Sequence, residues 1–168
     1  YLPESTDIEL LTRAYRLQMQ RLAAAWESRA EGLPLRNDQD LLTLASIIEK
    51  ESAKAEDRGM VSAVFHNRLR VGMLLQSDPT TIYGIGDAFD GNLRRNHLRT
   101  DTPYNTYVRT GLTPTPISMP GKVSLQAAAR PAQSKALYFV SRGDGSSEFS
   151  DDLAGHNRAV ARYQRKVQ

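Results

Sequence analysis

The run at 41–48, LLTLASII, sets apolar side chains at positions 41, 44, 45, 47 and 48 and is followed at once by two acids, Glu49 and Glu51. At 100° per residue the five fall on one stripe that only a core can cover, so the run predicts a buried helix around which the chain packs. The two acids leave opposite margins of that helix, about 200° apart, and cannot converge on one cleft as a close carboxylate pair. Glu51 continues the edge of Leu44 and Ile48, and Glu49 takes the other side. On the residues alone, both also read as solvated charges near a helix end, with Glu49 pairing to Lys50 or Lys54.

The flanking pattern supplies the rest of a fold. Ile8, Leu11, Ala14, Tyr15, Leu22, Ala25 and Trp26 predict an amphipathic helix over about 6–30, stopped by Gly32 and Pro34, with its stripe and Trp26 in the core. Asn37, Asp38 and Asp40 offer caps for the buried helix, which should run to about Lys54. A third helix begins near Asp57, carries Met60, Val61, Val64, Phe65 and Leu69, and ends near Gly72. Over 76–121 the periodicity gives way to Asp-Pro, Tyr-Gly, Asp-Gly, Thr-Pro and Met-Pro, which predicts a long loop region of the kind that serves a site. A short helix over 124–129 stops at Pro131, "ALYFVSR" and "SSEFS" flank Gly143-Asp144-Gly145 as a hairpin, and Asp151 or Asp152 caps a closing helix. The expected class is α+β: helix-rich, with a small antiparallel hairpin near the C-terminal end.

At 168 residues, with no repeat or linker, a single domain is expected. The net charge is only +3 and the basic residues are scattered, so no nucleic-acid partner is called for. The absence of cysteine excludes disulfides, thiol nucleophiles and thiolate metal sites. His66, His97 and His156 lack metal-ligand spacing, so no metal or cofactor is expected and structural roles are assigned to them. There is no Gly-x-Ser-x-Gly elbow, and Gly84-Ile85-Gly86 lacks the helix and Lys-Ser/Thr ending of a phosphate loop. No apolar run approaches the roughly 20 residues that span a bilayer. The start at Tyr1 rather than Met reads as a piece of a longer chain.

The strings "ASIIEKES", "VFHNRLRVGMLLQSDPTTIYG", "YNTYVRTGLTPTPISMPG", "SLQAAARP", "LYFVSRGDG" and "HNRAV", in this order and spacing, resemble the catalytic domain of the YceG-like endolytic murein transglycosylases. The resemblance runs from about 41 to 160, within a family-matching region of 37–168 that follows a leading segment of 1–36. It implies cleavage, without water, of the β-1,4 bond between N-acetylmuramic acid and N-acetylglucosamine within peptidoglycan glycan strands, leaving 1,6-anhydromuramoyl ends. It further implies a domain facing the periplasm or cell wall, an inner-membrane anchor and an N-terminal accessory subdomain outside this chain, and peptidoglycan synthases as partners. A departure is Thr113, where the family usually has Pro, and Thr115, where Gly is common.

A glycosidic oxygen leaves only when protonated, which asks for a carboxylic acid held neutral near pH 7 by a semi-apolar wall. Glu51, followed by Ser52 as in the Glu-Ser pair of other lytic transglycosylases, is the expected acid, with Glu49 as the alternative. Gln76, Ser77, Asp78, Thr80, Tyr83, Tyr104, Asn105, Thr106 and Tyr107 are candidate substrate-binding residues, offering amides, hydroxyls and rings to sugars. Equally, Asp78-Pro79 reads as a turn, and Asn105 and Thr106 as side chains satisfying irregular backbone. A muramidase-type hydrolase, with Asp78 as second acid, and a non-catalytic peptidoglycan-binding module remain as alternatives.

Overall fold

The structure, a computed structural model, describes residues 6–164. Helix α1 (Asp7–Glu27) is followed by α2 (Asp38–Glu51), a 3-10 turn (Ala55–Asp57), α3 (Arg58–Arg70) and α4 (Asp78–Ile85). A second 3-10 turn (Gly86–Ala88) leads to α5 (Arg95–Arg99), α6 (Lys122–Ala129), strands β1 (Tyr138–Ser141) and β2 (Ser147–Ser150), and α7 (Leu153–Tyr163). The strands form an antiparallel hairpin that pairs Tyr138 with Ser150 and Ser141 with Ser147. The α+β class and the hairpin are as the sequence indicates.

Helix α2 is the axis of the fold. Asn37 caps it by accepting from the Asp40 N–H at 2.9 Å. Its Leu41, Leu44, Ala45, Ile47 and Ile48 are fully buried, and so are Thr43 and Ser46. The helix is enclosed on more sides than a one-stripe reading implies, by α1, α3, α4 and α6. Leu22 and Ala25 of α1, Val61 and Phe65 of α3, and Leu125, Ala128 and Ala129 of α6 complete the core with Leu75 and Ile117. At roughly 1.5–3 kcal/mol per fully buried large aliphatic or aromatic side chain, this cluster is what fixes the position of the acid-bearing end of α2.

Two expectations are corrected. Only the C-terminal half of α1 joins the core: Ile8, Leu11 and Tyr15 are 76%, 71% and 65% exposed, because the helix runs past the body that covers Leu22 and Ala25. Trp26 is partly buried and stacks under the Arg29 guanidinium at 3.9 Å. The segment 76–121 is not one loop, for α4 begins at Asp78 with Pro79 in its first turn, where the missing N–H costs nothing. Gly84 permits α4 to lie close against the next segment, since a Cβ there would sit 2.6 Å from Thr102 Oγ1 and 3.2 Å from Tyr104 Cβ. The segment then returns to α2, where the Ile117 N–H donates to Ser46 Oγ and the Ser118 hydroxyl to the Ser46 carbonyl.

Candidate active site

The last turn of α2 sends its acids in different directions. Glu49 accepts from Arg58 Nη2 at 3.1 Å and from the Gly121 N–H at 2.9 Å. Partial burial works to raise its proton affinity, but these donors outweigh it and hold Glu49 below the usual glutamate range. Glu49 is therefore an ionised tie between α2, α3 and the start of α6, and Lys50 and Lys54 are not the partners that the sequence suggested. Glu51 instead enters an open groove of about 560 Å3.

The floor of that groove is the C-terminal end of α2, with Glu51, Ser52 and Ala53. One wall carries Gln76, Asp78 and Tyr107; the other is built from β1, the hairpin turn and α7, with Tyr138, Ser141, Ser147 and His156. Arg68 lies between the walls. Burial pushes the Glu51 carboxyl up to about 7; the Ser77 hydroxyl and the Arg68 charge draw it down, and the Asp78 charge adds to the rise. Ser77 donates to Glu51 Oε2 at 2.7 Å, and the Tyr107 hydroxyl donates to Asp78 Oδ1. Burial first, and then Asp78, push the Tyr107 phenol well above its ordinary range, so it stays a neutral donor.

The candidate binding residues divide into two sets. Gln76, Asp78 and Tyr107 line the groove with Glu51, and Ser77 touches Glu51 directly. Gln76 is the one non-glycine among the described residues with positive φ, at 50°, and this bend turns the chain so that the next residue, Ser77, faces the acid. Thr80, Asn105 and Thr106 are buried scaffold and do not reach the groove. Asn105 Nδ2 donates to the carbonyls of His97, Leu98 and Thr100, and its Oδ1 accepts from the Tyr107 N–H and the Thr81 hydroxyl. Thr106 Oγ1 accepts from the Ser77 N–H and bonds Thr80 Oγ1, which in turn donates to the Ser77 carbonyl. The amide and hydroxyls read as sugar contacts are thus consumed by irregular backbone, which otherwise has no helix or ladder to satisfy it.

Tyr83 and Tyr104 do not line the groove either; their rings pair at 4.8 Å, and the Tyr104 hydroxyl bonds Thr115 Oγ1. The family departures are joined locally as well, the Thr113 hydroxyl donating to the Thr115 carbonyl. Ser52 spends its hydroxyl on the Lys54 carbonyl, turning the chain after the acid. His66 is a core residue, with Nε2 2.9 Å from the Ala128 carbonyl, and burial lowers its pKa to about 4. His156 secures the hairpin by stacking on Tyr138 at 5.3 Å and is itself in the groove lining.

Sequence reasoning missed Arg68, Tyr138 and the hairpin serines as groove residues. Arg68 does lie in the block "VFHNRLRVGMLLQSDPTTIYG", but an arginine near the end of a helix reads as surface charge.

Fold and site together define an α+β domain built around a groove with the buried Glu51 carboxyl on its floor. The chain belongs to the YceG-like family, whose model matches residues 1–162. It is 44% identical over 123 residues to an endolytic murein transglycosylase of Bacillus subtilis (strain 168), covering 73% of this chain and 34% of that protein. It is 32% identical over 174 residues to the endolytic murein transglycosylase of Streptococcus pneumoniae (strain D39), covering 96% of this chain and 30% of that protein. The chain thus spans about a third of the length of these relatives. A crystal structure of a yceG-like protein from Listeria monocytogenes superposes with a TM-score of 0.67 at 35% identity, covering 89% of this chain and 44% of that one.

Proposed function

We propose that this domain is an endolytic lytic transglycosylase of peptidoglycan glycan strands, with Glu51 as its one acid and base. The observation that carries the reading is the state of Glu51: burial brings its carboxyl to about 7, so near neutral pH it can both give and take a proton. With Ser77 donating to Oε2, the transferable proton sits on Oε1. Glu51 protonates the glycosidic oxygen, the bond from the muramic-acid C1 to that oxygen breaks, and the N-acetylglucosamine unit leaves as its 4-hydroxyl. The muramic-acid C6 hydroxyl then attacks C1 and returns its proton to the Glu51 carboxylate, closing a 1,6-anhydro ring with no water consumed. The names of the relatives support the same substrate.

One observation favours a hydrolase as a second reading. Asp78 lines the same groove and its charge is felt at Glu51, so it is the group that would activate water or attack C1. It instead accepts from the Tyr107 hydroxyl, and its charge serves to raise the proton affinity of Glu51.

Mass spectrometry of digested sacculi decides. The expected products carry 1,6-anhydromuramic ends, one water lighter than hydrolytic products; reducing muramic ends as the main product overturn the transglycosylase reading in favour of the muramidase. No soluble product at all leaves a binding module. Since glycan strands lie outside the cytoplasmic membrane, the same proposal places the domain on that face, held there by an anchor and working beside peptidoglycan synthases. Among the described residues no helix is long and apolar enough to cross a membrane.

A further inference from the structure

Arg68 is a cation in an unusual position. It is 6% exposed, and among the described residues it forms no salt bridge with any carboxylate. A buried guanidinium without an anion needs other compensation, and this one spends its N–H groups on backbone carbonyls. Nη1 donates to the Leu75 carbonyl at 2.7 Å and, more weakly, to that of Leu74. Nε donates to the Leu137 carbonyl at 2.7 Å. Leu74 and Leu75 lead directly into Gln76-Ser77-Asp78, one wall of the groove; Leu137 leads directly into Tyr138, the other wall. The side chain comes from α3, whose body is locked in the core through Val61 and Phe65. It also lies 5.5 Å from the Tyr138 ring centroid.

We propose that Arg68 is the positioning residue of this site: it ties the two walls at a fixed separation and holds a permanent positive charge beside Glu51. The inference rests on the reading of Glu51 as the acid. The groups that face the acid are Ser77, Asp78 from α4, Tyr107 and Arg68 from α3, and Arg68 is the one cation among them. Arg68 in turn faces Tyr138 of β1, Tyr107 and His156 of α7, whose proton affinity it lowers after burial does. Its charge offsets that of Asp78, so the carboxylate left after proton donation is stabilised and remains within reach as the base for the second step. Burial lowers the pKa of Arg68 itself, yet a guanidinium in a protein keeps its proton.

The test compares Arg68→Gln with Arg68→Lys by carboxyl 13C NMR titration of Glu51, together with the pH profile and KM of sacculus digestion. Arg68→Gln removes the charge, and the Glu51 midpoint should rise by about one pH unit or more. Arg68→Lys keeps a charge but not the fork that spans both carbonyl sets, so the midpoint should stay near that of the wild type while KM rises. An unmoved midpoint in Arg68→Gln, or equal upward shifts in both variants, overturns the proposal. Should Arg68→Gln fail to fold, Arg68→Lys decides alone: an unchanged midpoint with raised KM supports the role, and a shifted midpoint or an unchanged KM refutes it. If the wild type digests nothing, the functional reading falls, while the titration still decides whether Arg68 sets the charge state of Glu51.

Discussion

The Ser77 hydroxyl donates to Glu51 Oε2 across 2.7 Å, and its own backbone is pinned by Thr106, so the acid at the end of α2 is oriented by a segment 26 residues further along the chain. That bond favours the carboxylate over the acid. Ser77→Ala should therefore raise the proton affinity of Glu51 beyond its value of about 7. The alkaline limb of kcat/KM, where the acid loses its proton, should move to higher pH. A limb that stays in place or moves to lower pH would show that Ser77 does not govern the acid.

Replacing the acid itself separates chemistry from stability. Glu51→Gln retains size but has no proton to give, so turnover on sacculi should fall by at least about a hundredfold. The same variant should be the more stable protein in alkali. The wild-type carboxyl has a folded pKa raised by burial above 4.5 to about 7, so folding takes up a proton between those values. Its favourable contribution is complete below about pH 4.5 and is lost as pH rises through 7. At pH 8 Glu51→Gln should exceed the wild type by on the order of 1–3 kcal/mol in urea unfolding, with the gap closing near pH 4.5. A gap that widens as pH falls contradicts the burial account.

Glu49→Gln should behave in the opposite way. It breaks a partly buried pair with Arg58 and weakens the acceptor of the Gly121 N–H, so a loss of roughly 1–3 kcal/mol is expected. Activity per folded molecule should remain within a few-fold of wild type, as roughly expected of a residue outside the groove. If turnover vanishes at full stability, the acid has been assigned to the wrong glutamate.

Asn105→Ala removes three donor bonds and two acceptor bonds from a fully buried amide. A loss of several kcal/mol, about 2–5, is expected in the thermal or urea midpoint, with activity lost in parallel. A variant of native stability but low activity would restore Asn105 as a sugar contact.

The period of apolar residues at 41–48 was enough to determine the central helix, and the angle between positions 49 and 51 was enough to send their carboxyls apart, because both follow from helix geometry alone. Caps and turns were legible for the same reason: Asn37, Asp152 and Gly143-Asp144-Gly145 act on neighbours within a few residues. Which side chains reach the groove was not local. Asn105 and Gln76 are both exchangeable amides in a polar stretch, and only the fold faces one toward five backbone and hydroxyl partners and the other toward solvent. Nor does anything near position 68 show that its charge will be buried between Leu75 and Leu137, which lie far apart in the chain. The sequence determined the helix that carries the acid; burial, which sets that acid's proton affinity, is a property of everything packed around it and was decided only by the tertiary structure.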